Sequence, residues 1–332
     1  MKILVYSSVF YPGVGGIENL ALFLSQEFIK AGHEVKVITE QVQDKNKPLD
    51  FEVVHSRNIL GQIRLFFWCD VMFMPNITLK GIWLKCLNPF KPWVISHNDF
   101  HMVLFHNFKS KLKLFVIRFA TRNISVCKAV AKVLPVKCTV IYNGYSENMF
   151  KIYPDEDRKF DIVFSGRLVK QKGCDKLIEA CKGLDIPFTL NVIGDGPELD
   201  ALKTQVKEAG LENQIHFLGF RHNEELARLF NNHKVMVIPS QYIEGFPLTA
   251  LEGLASGCKM IVSDSGGLPE AVDGFGKVFE MEDTATLTRL LGEALKDNST
   301  APMTDALKSY LEAHTKKKVA GKYLEVFSEA IA

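Results

Sequence analysis

The chain has 332 residues, 47% of them hydrophobic and 23% charged. These proportions are ordinary for a soluble globular protein, and at about 150 residues per domain the length suits two. The net charge of +2 hides an asymmetry. Residues 1–150 hold 18 Lys and Arg against 10 Asp and Glu, while the rest hold 22 against 28.

A basic front half expects an anionic neighbour, whether a phosphate substrate, lipid headgroups or nucleic acid. No stretch reaches the roughly 18 apolar residues of a spanning helix. The most apolar window, 63–75, is broken by Arg64 and Asp70. The apolar run in MKILVYSS is too short for a signal peptide. The seven cysteines are odd in number and include no C-x-x-C, which reads as reduced thiols in a cytosolic protein and argues against a zinc site.

Residues 2–8 read as a buried strand, and a loop rich in glycine follows, with Gly13, Gly15 and Gly16. Ile17, Leu20, Ala21, Leu24, Phe28 and Ile29 then mark one face of a helix, and HEVKVITE is a second strand. This strand–loop–helix–strand unit opens a Rossmann-like domain. A dinucleotide fingerprint is the obvious alternative, with Glu40 as the ribose-binding acid. Glu18 stands where its third glycine belongs, and the loop is too long for it. The glycines either permit a tight turn or let the Gly15–Gly16 amides face an anion at a helix start.

FEVVHS, DVMFMP and PWVISH read as further strands, the last ending in His97 at the expected ligand edge. Residues 105–122 mix Lys109, Lys111, Lys113, Arg118 and Arg122 with Phe105, Phe108, Leu112, Phe115, Val116 and Phe119. They form either an amphipathic helix with its apolar side in the core or a basic, aromatic helix on an anionic membrane. Nucleic acid is set aside for want of interleaved strand aromatics or a recognition-helix pattern. Strands near 124–127 and 139–144 close the domain. The polar segment 151–160 reads as a linker, and its Asp155-Glu156-Asp157 as surface charge rather than a metal-binding D-x-D.

The second half restarts the alternation, with strands FDIVFSG, FTLNVIGDGP, QIHFLGF, VMVI and KMIVS and helices between them, which implies parallel α/β sheets. Residues 303–331 read as a helical end segment. Each candidate site residue of this half follows a strand: Gly166, Arg167 and Lys172, then Gly194, then Phe220, then Glu244 to Glu252. That is the ligand edge of an open sheet. The fourth unit, VMVIPSQYIEGFPLTALEGLASG, is a buried strand, a polar loop and a helix opened near Pro247. Eight helical residues, the interval from Glu244 to Glu252, would advance about 12 Å, the scale of a sugar-to-ribose reach. One Arg and one Lys suit a diphosphate as fork and point charge.

GRLVKQKG, GDGPE, FLGF, GGIE, the Asn143-Gly144 pair and above all EGFPLTALE, with its E-x7-E spacing, resemble the retaining glycosyltransferases of family four. The likeness runs nearly the whole chain. It implies the GT-B architecture: two Rossmann-like domains around a central cleft, here 1–152 and 158–312, with a C-terminal helix near 315–332 crossing back to the first.

By the same resemblance Arg167 and Lys172 clamp the diphosphate, Glu244 stands at the donor sugar, and Glu252 holds the ribose. The backbone of Phe246, Leu248 and Thr249 meets sugar and phosphate, and Phe220 frames the base. His97 contacts the transferred sugar, while Gly15 and Gly16 approach the phosphates. The family needs no metal and no cofactor beyond its nucleotide-sugar. The expectation is a cytoplasmic, metal-independent, retaining hexosyltransferase that uses a UDP-sugar, or next GDP-mannose. Its acceptor is a glycan or lipid-linked glycan in surface polysaccharide synthesis, and it takes a peripheral place on the membrane through residues 105–122. The rivals are a nicotinamide-dependent oxidoreductase and a degenerate protein that only binds sugars.

Overall fold

The computed structural model describes residues 1–13, 15–42, 49–104, 107–297, 301 and 303–332. The chain divides into two units, one comprising Met1–Gly144 with Lys316–Ala332 and the other Tyr145–Thr315.

The first unit holds seven parallel strands: β1 (Lys2–Tyr6), β2 (Glu34–Thr39), β3 (Glu52–His55), β4 (Val71–Met74), β5 (Trp93–His97), β6 (Arg122–Ser125) and β7 (Thr139–Val140). Their order is β3-β2-β1-β4-β5-β6-β7. β4 is buried at all four residues, which is why VMFM is a continuous apolar run rather than an alternating one. The helix Gly16–Lys30 covers one face with Leu20, Leu24 and Phe28.

The helix Lys316–Ile331 covers the same face. It buries Val319, Ala320, Tyr323, Val326, Phe327 and Ala330, one stripe at helical spacing. Phe327 meets Phe28 and Phe73 at ring distances of 5.4 and 5.1 Å. The Tyr323 hydroxyl lies 3.1 Å from Ser96 Oγ. The helical end segment is two helices, and the second lies where the helix near 315–332 was expected. Asp305–Ala313 stays with the second unit, and the other returns to the first.

The second unit holds β8 (Phe160–Ser165), β9 (Leu190–Ile193), β10 (Ile215–Gly219), β11 (His233–Ile238), β12 (Lys259–Ser263) and β13 (Gly276–Phe279), ordered β10-β9-β8-β11-β12-β13 and parallel throughout. Ile162, Phe164, Val192, Val235, Val237 and Ile261 form its central core. In both units the strand order reverses beside the first strand, the arrangement that opens a crevice at the carboxyl ends.

Three expectations need correction. The first domain, expected to reach 152, ends at Gly144, since 145–152 pack with the second unit. Tyr145 bridges Thr315, Phe150 lies on Phe230, and Asn231 Oδ1 accepts from the Tyr153 amide at 2.8 Å. β13 went unread because its four residues, GKVF, alternate only briefly. The core reading of 105–122 holds only in part: the helix Phe108–Val116 buries Ser110 alone, with Leu114 and Val116 half-buried, and the turn after it buries Ile117. Phe108, Phe115 and Phe119 are exposed instead, and residues 105–106 lie outside the described ones.

Among the described residues no disulfide joins any cysteines, and no helix is long and apolar enough to cross a membrane.

Candidate active site

β8 and β11 are neighbours at the strand-order reversal of the second unit, so the loops that follow them emerge side by side. The first runs from Gly166 through a turn of 3-10 helix, Lys170–Lys172, to the helix Cys174–Lys182. The second runs from Pro239 to the helix Leu248–Ala255. The Gln241 amide donates to Gln171 O at 2.8 Å.

Gly173 makes this approach possible. Its φ is +69°, and a Cβ there would stand 1.9 Å from Pro239 O, so a side chain is excluded by conformation and by space alike. On the other flank Gly194, with φ +141°, would put a Cβ 1.9 Å from Gly166 O. Leu168 N donates to Asp195 O at 2.9 Å and Gly194 N to Gly219 O at 2.9 Å. The loops after β8, β9 and β10 are thus stitched together by backbone.

Glu244 is the best-held side chain of the set. Its Oε1 accepts from Lys172 Nζ at 2.6 Å and from Ser240 Oγ at 2.7 Å. Its amide donates to Ser265 Oγ at 3.1 Å, and its carbonyl accepts from Gly267 N at 2.9 Å. Ser263 Oγ in turn donates to Ser240 O at 2.7 Å. Ser240 and Ser265 escaped the sequence reading, because a serine in a loop carries no periodic signal. The S-x3-E interval from Ser240 is the one trace they leave.

Lys172 and Glu244, expected to grip opposite parts of a ligand, are in contact with each other. An ammonium has three donors, so this pairing leaves Lys172 able to donate elsewhere. Arg167 is exposed and has no ion-pair partner among the described residues. It is an uncommitted cation of this edge, as is Lys170 on the same loop.

Glu252 lies half-buried in the helix that begins at Leu248. That helix has Pro247 at its cap and no side-chain cap bond, so the Leu248 and Thr249 amides at its start can serve an anion. Phe246 is turned inward, 4% exposed and stacked on His314 at 6.0 Å, which leaves its backbone to the loop. Phe220 is exposed beyond β10 and stacks on His222 at 5.8 Å.

His97 and the Gly15–Gly16 pair belong to the first unit. His97 ends β5, is fully buried, and places Nε2 2.9 Å from Asn123 Oδ1, while its Nδ1 is buried without a partner. Burial holds its pKa below the ordinary imidazole value, although Asn123 and Asp99 pull the other way. Its ring, expected to contact the transferred sugar, has no solvent-facing atom in this structure.

Gly15 caps the helix Gly16–Lys30. A Cβ on it would meet Glu18 Oε2 at 2.4 Å. The acid nearest this helix start is the chain's own, while the space around Gly16 is open. Glu40, the ribose acid of the dinucleotide alternative, is bonded to Lys80 at 2.6 Å. Asp155 and Glu156 pair with Arg228 at 3.1 and 2.9 Å, as surface charges do.

Residues 146–313 match the family described as glycosyl transferases group 1, just over half of the chain. The chain belongs to this family. Among curated relatives of this group 1 glycosyl transferase, an uncharacterised glycosyltransferase of Methanocaldococcus jannaschii is 30% identical over 61% of this chain and 62% of its own length. A putative colanic acid biosynthesis glycosyltransferase of Escherichia coli is 25% identical over 52% of this chain and 45% of its own. The aligned part thus spans less than two thirds of either relative.

Anabaena HepE, solved in complex with UDP, superimposes with a TM-score of 0.85 at 21% identity, covering 99% of this chain and 100% of that one. The same protein with UDP-glucose gives 0.79 at 20% identity over the same shares. At these identities the likeness establishes the fold, the GT-B architecture of two Rossmann-like domains.

Proposed function

We propose that this group 1 glycosyl transferase moves a hexose from a nucleoside-diphosphate donor, a UDP-sugar first and GDP-mannose next, to a glycan or lipid-linked glycan. The reaction retains the anomeric configuration, needs no metal, and forms part of surface polysaccharide synthesis at the cytoplasmic face of a membrane. One observation carries the donor assignment. The loops after β8 and β11, bonded at Gln171 and Gln241, place Arg167, Lys172 and Glu244 on one edge at the strand-order reversal. The UDP and UDP-glucose complexes of HepE support the choice of base, and the colanic acid relative supports the polysaccharide setting.

Breaking a sugar–phosphate bond puts negative charge on the leaving diphosphate and positive charge on the sugar ring. Arg167 and the amides of Leu248 and Thr249 stabilise the first, and Lys172 adds the donors that Glu244 leaves over. Glu244, locked by Ser240 and Lys172, faces the sugar as a hydrogen-bond acceptor. Glu252 accepts from the ribose hydroxyls. The departing phosphate oxygen takes the acceptor's proton on the same face, which keeps the configuration.

Arg167→Ala should lower turnover with saturating acceptor by about 10²–10³, the usual cost of losing one preorganised donor, and should weaken the thermal shift produced by UDP. Unchanged turnover removes Arg167 from the mechanism. A UDP shift that is absent in the parent, while GDP gives one, changes the base.

A further inference from the structure

The first unit carries a cluster that the donor chemistry does not use. Of the large apolar side chains that stand exposed among the described residues, thirteen belong to the first unit and four to the second. They concentrate in the crossover from β5 to β6, where Phe108 is 80% exposed, Phe115 55% and Phe119 64%. Lys109, Lys111 and Arg118 are exposed among them.

The crossover ends at a surface cavity of about 650 Å³, whose lining includes Arg118, Ala120, Arg122, Asn123, Lys137 and Glu329. Phe119 stands in sequence between two lining residues, Arg118 and Ala120, with its ring 5.2 Å from that of Phe115. The lining has three cations and one carboxylate. Glu329 lies against Arg122 at 3.7 Å, while Arg118 and Lys137 have no ion-pair partner among the described residues. Arg122 and Thr139 begin β6 and β7, so the cavity lies at the amino edge of the sheet. Asn123, also in the lining, carries the 2.9 Å bond to His97, which ends β5.

We propose that this cavity takes the phosphate headgroup of an anionic phospholipid while Phe115 and Phe119 enter the bilayer interface beside it. A free soluble anion would need the cations and not the phenylalanines. A protein partner would need apolar surface without an unpaired arginine and lysine around a hollow. The combination of exposed aromatic rings next in sequence to the lining and cations without ion-pair partners within it matches an interfacial lipid. The inference deepens the reading of a membrane-bound acceptor and rests on it, but does not depend on the donor.

The test is cosedimentation of the full chain with phosphatidylcholine vesicles, with and without phosphatidylglycerol. The parent should bind the anionic vesicles and not the neutral ones. Arg118→Gln with Lys137→Gln should weaken binding roughly thirtyfold, about fivefold per cation. Lys109→Gln with Lys111→Gln removes the same charge outside the cavity and should cost clearly less. In a Phe115→Trp variant the emission should shift to the blue on anionic vesicles.

Each variant should keep the parent's UDP-induced thermal shift, which reports the second unit, and the parent's melting temperature without ligand, which shows that the first unit is folded as well. Equal losses from the two charge pairs, or none from the cavity pair, overturn the headgroup site while leaving membrane binding standing. No binding by the parent overturns both. A UDP shift missing throughout counts against the transferase reading alone.

Discussion

The Lys172–Glu244 contact invites a double-mutant cycle, because it joins the two loops on which the donor assignment depends. Nζ and Oε1 are 2.6 Å apart, with the two side chains 32% and 17% exposed. At this depth the Coulomb attraction of a pair, about 4 kcal/mol at 4 Å for an effective dielectric near 20, is largely offset by desolvation and side-chain ordering. A net coupling of about 1 kcal/mol remains, the upper part of the range for partly exposed pairs. The perturbations are Lys172→Met, Glu244→Gln and both together, read by urea unfolding of the second unit.

Lys172→Met alone should cost more than the coupling, because it leaves the Glu244 carboxylate with Ser240 as its remaining side-chain partner. The double variant should recover part of the loss. In a melt the single change should appear as a fall of about 2–4 °C for a unit of this size. Additive single effects, with a coupling indistinguishable from zero, would refute the pairing, and with it the claim that these loops form one site.

Two further outcomes follow from the cores. Phe327→Ala removes a ring packed on Phe28 and Phe73 and should cost the first unit about 3–5 kcal/mol. Its melting should drop while UDP affinity, assigned to the second unit in the proposed function, holds; loss of both together would mean that the C-terminal helix supports more than its own unit.

His233 is fully buried, with Nε2 2.9 Å from Asn191 Nδ2 and Nδ1 against Leu229 O. Burial pushes its pKa down to about 4 from 6.5. Between those two values the unfolded chain binds a proton that the folded one refuses. Stability is therefore complete above pH 6.5 and falls on acidification towards pH 4, by about 3 kcal/mol. His233→Gln should flatten this slope, and an unchanged slope would assign it to other groups.

Much of the site is written in local pattern. The strand ends at Ser165, Ile193, Gly219 and Ile238 follow from short apolar runs closed by Gly or Pro, and a parallel sheet sends every such end to one edge. The candidates Arg167, Lys172, Glu244 and Glu252 were legible for that reason. The stripe from Val319 to Ala330 likewise shows a helix with one buried face. What that stripe packs against is not local, and only the structure brings Phe327 to Phe28 across almost the entire chain. The same holds for Asn123 beside His97 and Ser265 beside Glu244, polar residues without periodicity whose partners are chosen by tertiary packing.

The phenylalanines of 108–119 mark the boundary most clearly. Their helical spacing is the same whether the face they form is buried or bare, because amphipathic pattern records that a face exists and not what covers it. Sequence by itself determined the two alternating α/β halves, the ligand edge and its charged residues. Tertiary structure decided that Lys172 meets Glu244, that His97 is sealed from solvent, and that Phe108, Phe115 and Phe119 are left exposed, since each of these depends on which distant surfaces the strand order brings together.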